Sequence, residues 1–269
     1  MDIGTVSIKG KVRERDEDAI LVILNESLYE GKSREVCFCA LADGMGGLHG
    51  GDVASRIAIR TMESIGNKLI SQNITDTDMI FSEISDGFER ANRNIVEFSR
   101  EKGIESMGTT MIVAYYTDGF YYVGNLGDSR AFLFNNRKVS TRTVDHSLVQ
   151  TMVLSGELSE EEMSTHPRRN ELTRALGIGF NKPDLYKWRA FNGDALLLCC
   201  DGLWESLDRE TLALSANSKM SAQETILQLS ELANEFDGSD NISAILFRPR
   251  IRRSMEKYSK KPTRRITSQ

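Results

Sequence analysis

The chain reads as an α+β protein on three observations. Short apolar runs bounded by Gly, Asp and Asn recur along it, which is the pattern of buried strands. Two stretches, 52–69 and 76–102, instead space their apolar residues at helical intervals. The order is strands, two helices, many strands, two helices, strand, and segregated runs of this kind pack helices outside sheets rather than alternating in βαβ units. The 269 residues suit one large domain or two small ones, and the continuous pattern over 1–247 favours one.

In chain order, 5–9, 19–24 and 36–42 read as strands, with 25–35 a polar hairpin loop. Val53, Ile57, Met62, Ile65 and Leu69 define one face of the first helix. Met79, Ile80, Ile84, Phe88, Ala91, Ile95 and Phe98 define a face of the second, and residues 75–78 supply its cap. Strands at 111–116, 120–123, 130–134 and near Val139, separated by Asp118-Gly119, Gly124-Asn125, Gly127-Asp128 and Asn135-Asn136, form an antiparallel meander. Residues 145–180 are polar and mixed, and read as a surface flap with short helices at 148–154 and 159–163. Strands 185–191 and 195–200 flank the Asn192-Gly193-Asp194 turn. Helices at 209–216 and 222–236 and a last strand at 242–247 complete the order.

Charge is unevenly distributed. From Arg248 onward there are nine Lys/Arg and one acid, Glu256, so the whole-chain net of −5 leaves residues 1–247 at −13. An acidic body suits divalent cations and argues against a nucleic-acid partner. The basic tail, 248–269, reads as a solvated extension, with docking to an acidic partner or an anionic surface as the sharper alternative. Cys37, Cys39, Cys199 and Cys200 all lie in apolar runs without a C-x-x-C pair, so they read as small buried hydrophobes in a reducing compartment. The longest apolar run is seven residues, too short to span a bilayer, and the N-terminus lacks a signal-peptide pattern. The expected location is the cytoplasm.

Four aspartates sit where apolar runs break off. Asp43 follows 36–42 and opens Asp43-Gly44-Met45-Gly46-Gly47; Asp201 follows 195–200; Asp18 and Asp240 precede 19–24 and 242–247. Any one of them is also an ordinary turn residue. Four together at the ends of buried strands repel one another unless a cation lies between them. Oxygen donors with few histidines select hard ions such as magnesium or manganese. Asp43-Gly44 lacks the Lys-Ser/Thr of a nucleotide P-loop. Arg13, five residues before Asp18, suits a grip on phosphate, with Arg15 the competing candidate. The chain therefore reads as a metal-dependent enzyme of phosphate chemistry.

An ordered set of stretches carries a family resemblance: Arg13 with Glu17-Asp18; Ala42 to Gly47; Met107-Gly108-Thr109-Thr110; Gly124 to Arg130; Asp145-His146-Ser147; His166-Pro167 with Thr173 to Gly177; Cys200 to Trp204; and Asp240-Asn241. It resembles the metal-dependent type 2C protein serine/threonine phosphatases in their bacterial form. The resemblance implies an α-β-β-α sandwich of two antiparallel sheets flanked by helix pairs. It implies two ions, manganese or magnesium, with Asp43 bridging them, the Gly44 carbonyl on one, and Asp201 and Asp240 on the other. Glu17 and Asp18 would act directly or through water, Asp128 with Asp201 would hold a third ion, and Arg13 would hold the substrate phosphate. Phosphoproteins, the products of a serine/threonine kinase, would be the substrates.

Three positions depart from the family. Met45 stands where many members have a His that protonates the leaving group; Asp16 stands where bacterial members often have Asn; Ser243 replaces a common Thr. Of His49, His146 and His166, none shows zinc-ligand spacing, and His146 beside Asp145 is the best placed for a functional role. The alternatives on this fold are a catalytically weak phosphoprotein-binding module and a small-molecule phosphoesterase.

Overall fold

A computed structural model describes residues 1–29, 32–46, 50–104, 106–178 and 182–249. The first hairpin pairs β2 (Ala19–Tyr29) with β3 (Lys32–Ala42), after β1 (Asp2–Ile8) has opened the chain. The two-residue β4 (Gly44–Met45) leads into α1 (Gly51–Ser71) and α2 (Thr77–Lys102). A meander follows: β5 (Gly108–Thr109), β6 (Met111–Thr117), β7 (Phe120–Leu126), β8 (Arg130–Asn135) and β9 (Lys138–Arg142). The flap contains α3 (Leu148–Ser155) and a single 3-10 turn, Met163–Thr165. The chain ends with β10 (Asp184–Arg189), β11 (Ala195–Cys199), α4 (Asp201–Trp204), α5 (Arg209–Ala216), α6 (Ala222–Phe236) and β12 (Ile242–Arg248).

One five-stranded antiparallel sheet runs β1-β12-β11-β8-β9, the other β10-β7-β6-β3-β2, and β4-β5 is a separate short pair. Alternation along the central strands makes the layers. In β3, Phe38, Ala40 and Ala42 face α1 and α2, while Cys37, Cys39 and Leu41 face the opposite sheet. In β11, Leu197 and Cys199 face the helices α4–α6, while Leu196 and Leu198 meet the other sheet. Both faces are buried, so these strands read as unbroken apolar runs. The result is the four-layer α-β-β-α sandwich.

The helices start where their sequences say. Asp76 caps α2 by accepting from Met79 N at 2.9 Å, and left-handed Gly103 ends it. Ser221 and Glu224 form a capping box at α6.

Two expectations are corrected. The polar stretch 25–35 is not a loop, because β2 and β3 continue through it with Asn25 to Tyr29 paired to Val36 to Lys32. Polar residues there form a ribbon extending past the sheet, exposed on side chains such as Leu24 and Leu28, so the alternation signal is lost. The helix expected at 159–163 is a turn plus the 3-10 segment. The ends of the flap are also less superficial than its composition suggests, since Asp145, His146, Ser147, Leu176 and Ala175 are buried. Gly47, His49 and tail residues 250–269 lie outside the described residues.

The interior between the sheets is anchored by Phe247, whose ring meets Tyr116 at 5.2 Å and Tyr121 at 5.8 Å between centroids. Phe247→Ala is expected to lower the unfolding free energy by about 3–5 kcal/mol, read by urea denaturation followed by circular dichroism.

Candidate active site

Sheet register gathers the acids. Ala19 pairs with Ala42 at the end of the β2–β3 ladder, which sets Asp18 beside Asp43. On the other sheet Cys199 pairs with Ala244, which brings Asp201, the first residue of α4, near Asp240 before β12. Asp128 lies in the crossover where the chain leaves β7 of one sheet for β8 of the other. Of the residues expected at the site, Arg13, Glu17, Asp43, Gly44, Asp128, Asp201 and Asp240 line a single cleft of about 200 Å³. Asp18 lies behind that lining, with both carboxylate oxygens buried and without a hydrogen-bond partner among the described residues. Asp43, Asp201 and Cys200 each bring a side-chain donor atom within 4.8 Å of the others.

The electrostatics are those of acids held together against their repulsion. Burial pushes Asp18 up to about 7, with Asp16 and Asp201 adding to it. Burial and then Asp240 push Asp201 up to about 6. Asp43 is raised well above the carboxylate range by burial and by Asp18, Asp201 and Asp128, and Asp128 by burial and Asp201. The nearest compensation is Arg13, whose Nη2 donates to Asp240 Oδ2 at 2.7 Å. That guanidinium is half exposed at the rim, so it neutralises one acid and leaves the deeper ones to each other.

The backbone around these acids is fixed by polar side chains. Thr110 Oγ1 accepts from Asp43 N at 3.0 Å, Thr109 Oγ1 donates to the Asp43 carbonyl at 2.8 Å, and Thr110 N donates to the same carbonyl at 2.9 Å. Asn241 ties the 13–18 loop down, its Nδ2 donating to Arg15 O at 2.8 Å and its Oδ1 accepting from Glu17 N at 2.9 Å. Asp16 Oδ1 accepts from Asp18 N, and its Oδ2 from Ser7 Oγ, which accepts in turn from Ser243 Oγ. The Asp16 carboxylate is thus a brace for the loop, and its charge also disfavours ionisation of Asp18. Two glycines permit close backbone approach. A Cβ on Gly44 would collide with the carbonyls of Gly51 and Glu17, and one on Gly202 with the carbonyl of Asn241.

The remaining candidates separate by geometry. His146 is buried away from the cleft, where its Nδ1 accepts from Gly127 N at 3.1 Å and its Nε2 stands 3.2 Å from Asp184. It braces the flap entry. Arg130 forms a buried two-nitrogen pair with Asp145 and lies 3.3 Å from the Trp204 ring centroid, so its role is structural. Cys200, although near Asp43 and Asp201, has its thiol donating to Asn241 O at 3.3 Å and accepting from Ser243 N at 3.1 Å. Burial pushes that thiol well up, so it stays neutral. Met45 pairs with Gly108 and lines the cleft without a titratable atom.

Sequence reasoning missed Asn170 and Leu172, flap residues on the cleft wall; Glu205, outside that cleft, is pushed up to about 7 by burial and then by Asp201. None has a local pattern; the flap folds back over the site through two backbone bonds, Leu148 N to Glu171 O and Thr173 N to His146 O.

The residues fit divalent cations. The donors are carboxylate oxygens and the backbone at Gly44, and both oxygens of Asp18 are buried without a hydrogen-bond partner among the described residues, which suits magnesium and manganese.

Comparison with known proteins agrees with this arrangement. A family model described as protein phosphatase 2C matches residues 16–236. The serine/threonine phosphatase stp of Listeria monocytogenes is 32% identical over 240 residues, covering 88% of this chain and 92% of that one. The solved serine/threonine phosphatase of S. agalactiae superposes with a TM-score of 0.79 at 28% identity, over 92% of this chain and 99% of that one. The catalytic domain of the serine/threonine protein phosphatase PstP, solved in complex with two manganese ions, gives a TM-score of 0.75 at 27% identity over 91% and 96%. With the fold, the converging acids and a family match over most of its length, the chain belongs to the protein phosphatase 2C family.

Proposed function

We propose that the chain hydrolyses phosphoserine and phosphothreonine in proteins, at the carboxylate cleft and with manganese or magnesium. The single observation that supports this reading best is the convergence of Asp18, Asp43, Asp201 and Asp240, drawn from remote parts of the chain, into one acid cluster with Asp240 at its rim. In this reading Asp43, with the Gly44 carbonyl, Asp201 and Asp240, holds two ions. Glu17 and Asp18 support them directly or through water, and Asp128 with Asp201 holds a third. Bound there, such ions lower the pKa of a water to about 7 and draw charge from phosphoryl oxygens.

The chain's own groups do the rest. Arg13 leaves Asp240 to grip the substrate phosphate, a short swing for a half-exposed side chain. Thr109 and Thr110 keep the Asp43 backbone from shifting as charge builds. Met45 has no proton to give, so the proton for the leaving oxygen would come from a water held at the ions. Buried, neutral Cys199 and Cys200 offer no thiolate, and the reaction runs without a cysteinyl-phosphate.

The same proposal makes the substrates products of a serine/threonine kinase and the site of action the cytoplasm. Among the described residues no helix is long and apolar enough to cross a membrane. Arg248, expected to begin the tail, instead ends β12 opposite Asp2 and pairs with that carboxylate at 3.2 Å; residues 1–248 would form the catalytic unit, and the basic tail beyond would dock an acidic partner or an anionic surface.

Asp43→Asn and Asp201→Asn are each expected to reduce manganese-dependent release of phosphate from a phosphopeptide to background while the circular dichroism spectrum is kept; full turnover in either variant, or in excess EDTA, contradicts the scheme. Deleting residues 250–269 is expected to leave hydrolysis of a small aryl phosphate unchanged, as followed by absorbance. Stability gives a third check. Asp18 and Asp201 are raised in the folded state, so the metal-free protein holds more protons than its unfolded chain. Their stability contribution is complete below the ordinary aspartate value, about 3.9, and is lost as pH rises through about 6 to about 7. Thermal melts in EDTA are therefore expected to fall between pH 5 and pH 8 by this linkage, and added manganese to restore the loss.

A further inference from the structure

A second cavity, of about 460 Å³, opens beside the carboxylate cleft, and Asp128 belongs to the walls of both. Its size is that of a ligand-binding cleft, roughly 300–1,000 Å³. The flap forms one wall and the α4–α5 connection the other. Most of its charged side chains are already occupied. Arg130 is bound to Asp145, Arg209 Nη2 lies 2.9 Å from Glu160, and Asp208 caps α5 by accepting from Thr211 N at 2.7 Å. Glu205 is less well neutralised. Its ion-pair partner among the described residues is Arg169 at 3.9 Å, the limit of such a contact, and both side chains stay partly exposed. Met163 and Leu207 supply apolar surface to the same cavity, and exposed Glu161 adds a second carboxylate at its rim.

Apolar wall plus an under-neutralised carboxylate matches a long basic side chain, whose methylene stem packs while its head is paired. We propose that this cavity is a specificity subsite that receives a lysine or arginine flanking the phosphoresidue of the substrate, with Glu205 as its carboxylate partner. The inference deepens the phosphoprotein phosphatase reading and rests on it. Continuity at Asp128 sets the subsite next to the scissile phosphate, and displacement of Arg169 by the substrate's cation conserves the charge balance at Glu205.

The test uses the full chain with manganese and two phosphoserine peptide series, identical except that flanking positions carry arginine or glutamine. An aryl phosphate serves as a reference for the chemistry, and thermal melts check the fold. The wild type is expected to favour an arginine-flanked peptide in kcat/KM by roughly tenfold, the size of a partly desolvated charge pair. Glu205→Gln should erase that preference and Glu205→Lys should reverse it toward the glutamine series, with the aryl phosphate rate held. Equal wild-type rates on both series overturn the subsite, as does a preference that survives Glu205→Gln. If the aryl ester is cleaved and no phosphopeptide is, the protein-substrate reading falls and the subsite falls with it.

Discussion

Repulsion among buried carboxylates is the constraint on which this molecule is organised. Asp18, Asp43, Asp128 and Asp201 are each raised by burial and by one another, and Arg13 reaches only Asp240. Such a cluster costs stability near neutral pH unless positive charge enters it. Two sheets stacked face to face are suited to impose the arrangement. Each strand-end acid is fixed by the ladder behind it, and the apolar layer between the sheets fixes one edge against the other. The acids cannot move apart without breaking register, and a one-residue slip would exchange the helix-facing and sheet-facing side chains of each central strand.

The polar framework behind the acids has the same purpose at shorter range. Thr109 and Thr110 hold Asp43, Asn241 and Asp16 hold the 13–18 loop, and the bare Cα atoms of Gly44 and Gly202 let three backbone segments close on one another. Preorganised donors and acceptors of this kind do not reorganise during reaction, which is where enzymes gain most of their electrostatic advantage. Around the flap entry, Arg130 between Asp145 and Trp204, and His146 between Gly127 and Asp184, make a rigid base. The outer flap is different: from Met152 to Glu171 it buries no side chain, and its contacts to the body are ion pairs such as Glu160 with Arg142 and Arg209. A rigid catalytic edge beside a lightly held wall is a reasonable division of labour for an enzyme whose substrate is another protein.

Much of this was legible in the sequence because the strongest signals are local. Strands buried on both faces leave unbroken apolar runs, and Asp43, Asp201 and Asp240 mark their ends. Helix α1 announces itself through apolar spacing, and α2 and α6 through apolar spacing and caps. What failed was legible only in three dimensions. The β2–β3 ribbon beyond Leu24 is polar because it projects past the sheet, so composition mimics a loop. His146 read as a surface or turn residue, the best placed of the three histidines, and the turn after β9 instead buries it as a brace. Asn170 and Leu172 reach the site through folding of the flap, and Glu205 reaches only the neighbouring cavity; no spacing along the chain encodes either.

The most direct measurement is a manganese-edge anomalous map from crystals of this chain grown with manganese. The account predicts two strong peaks inside the cleft, both within coordination distance of the Asp43 carboxylate, with Asp201 and Asp240 on one of them. A map with manganese elsewhere on the molecule and none beside Asp43, from crystals whose dissolved protein still releases phosphate, would contradict it.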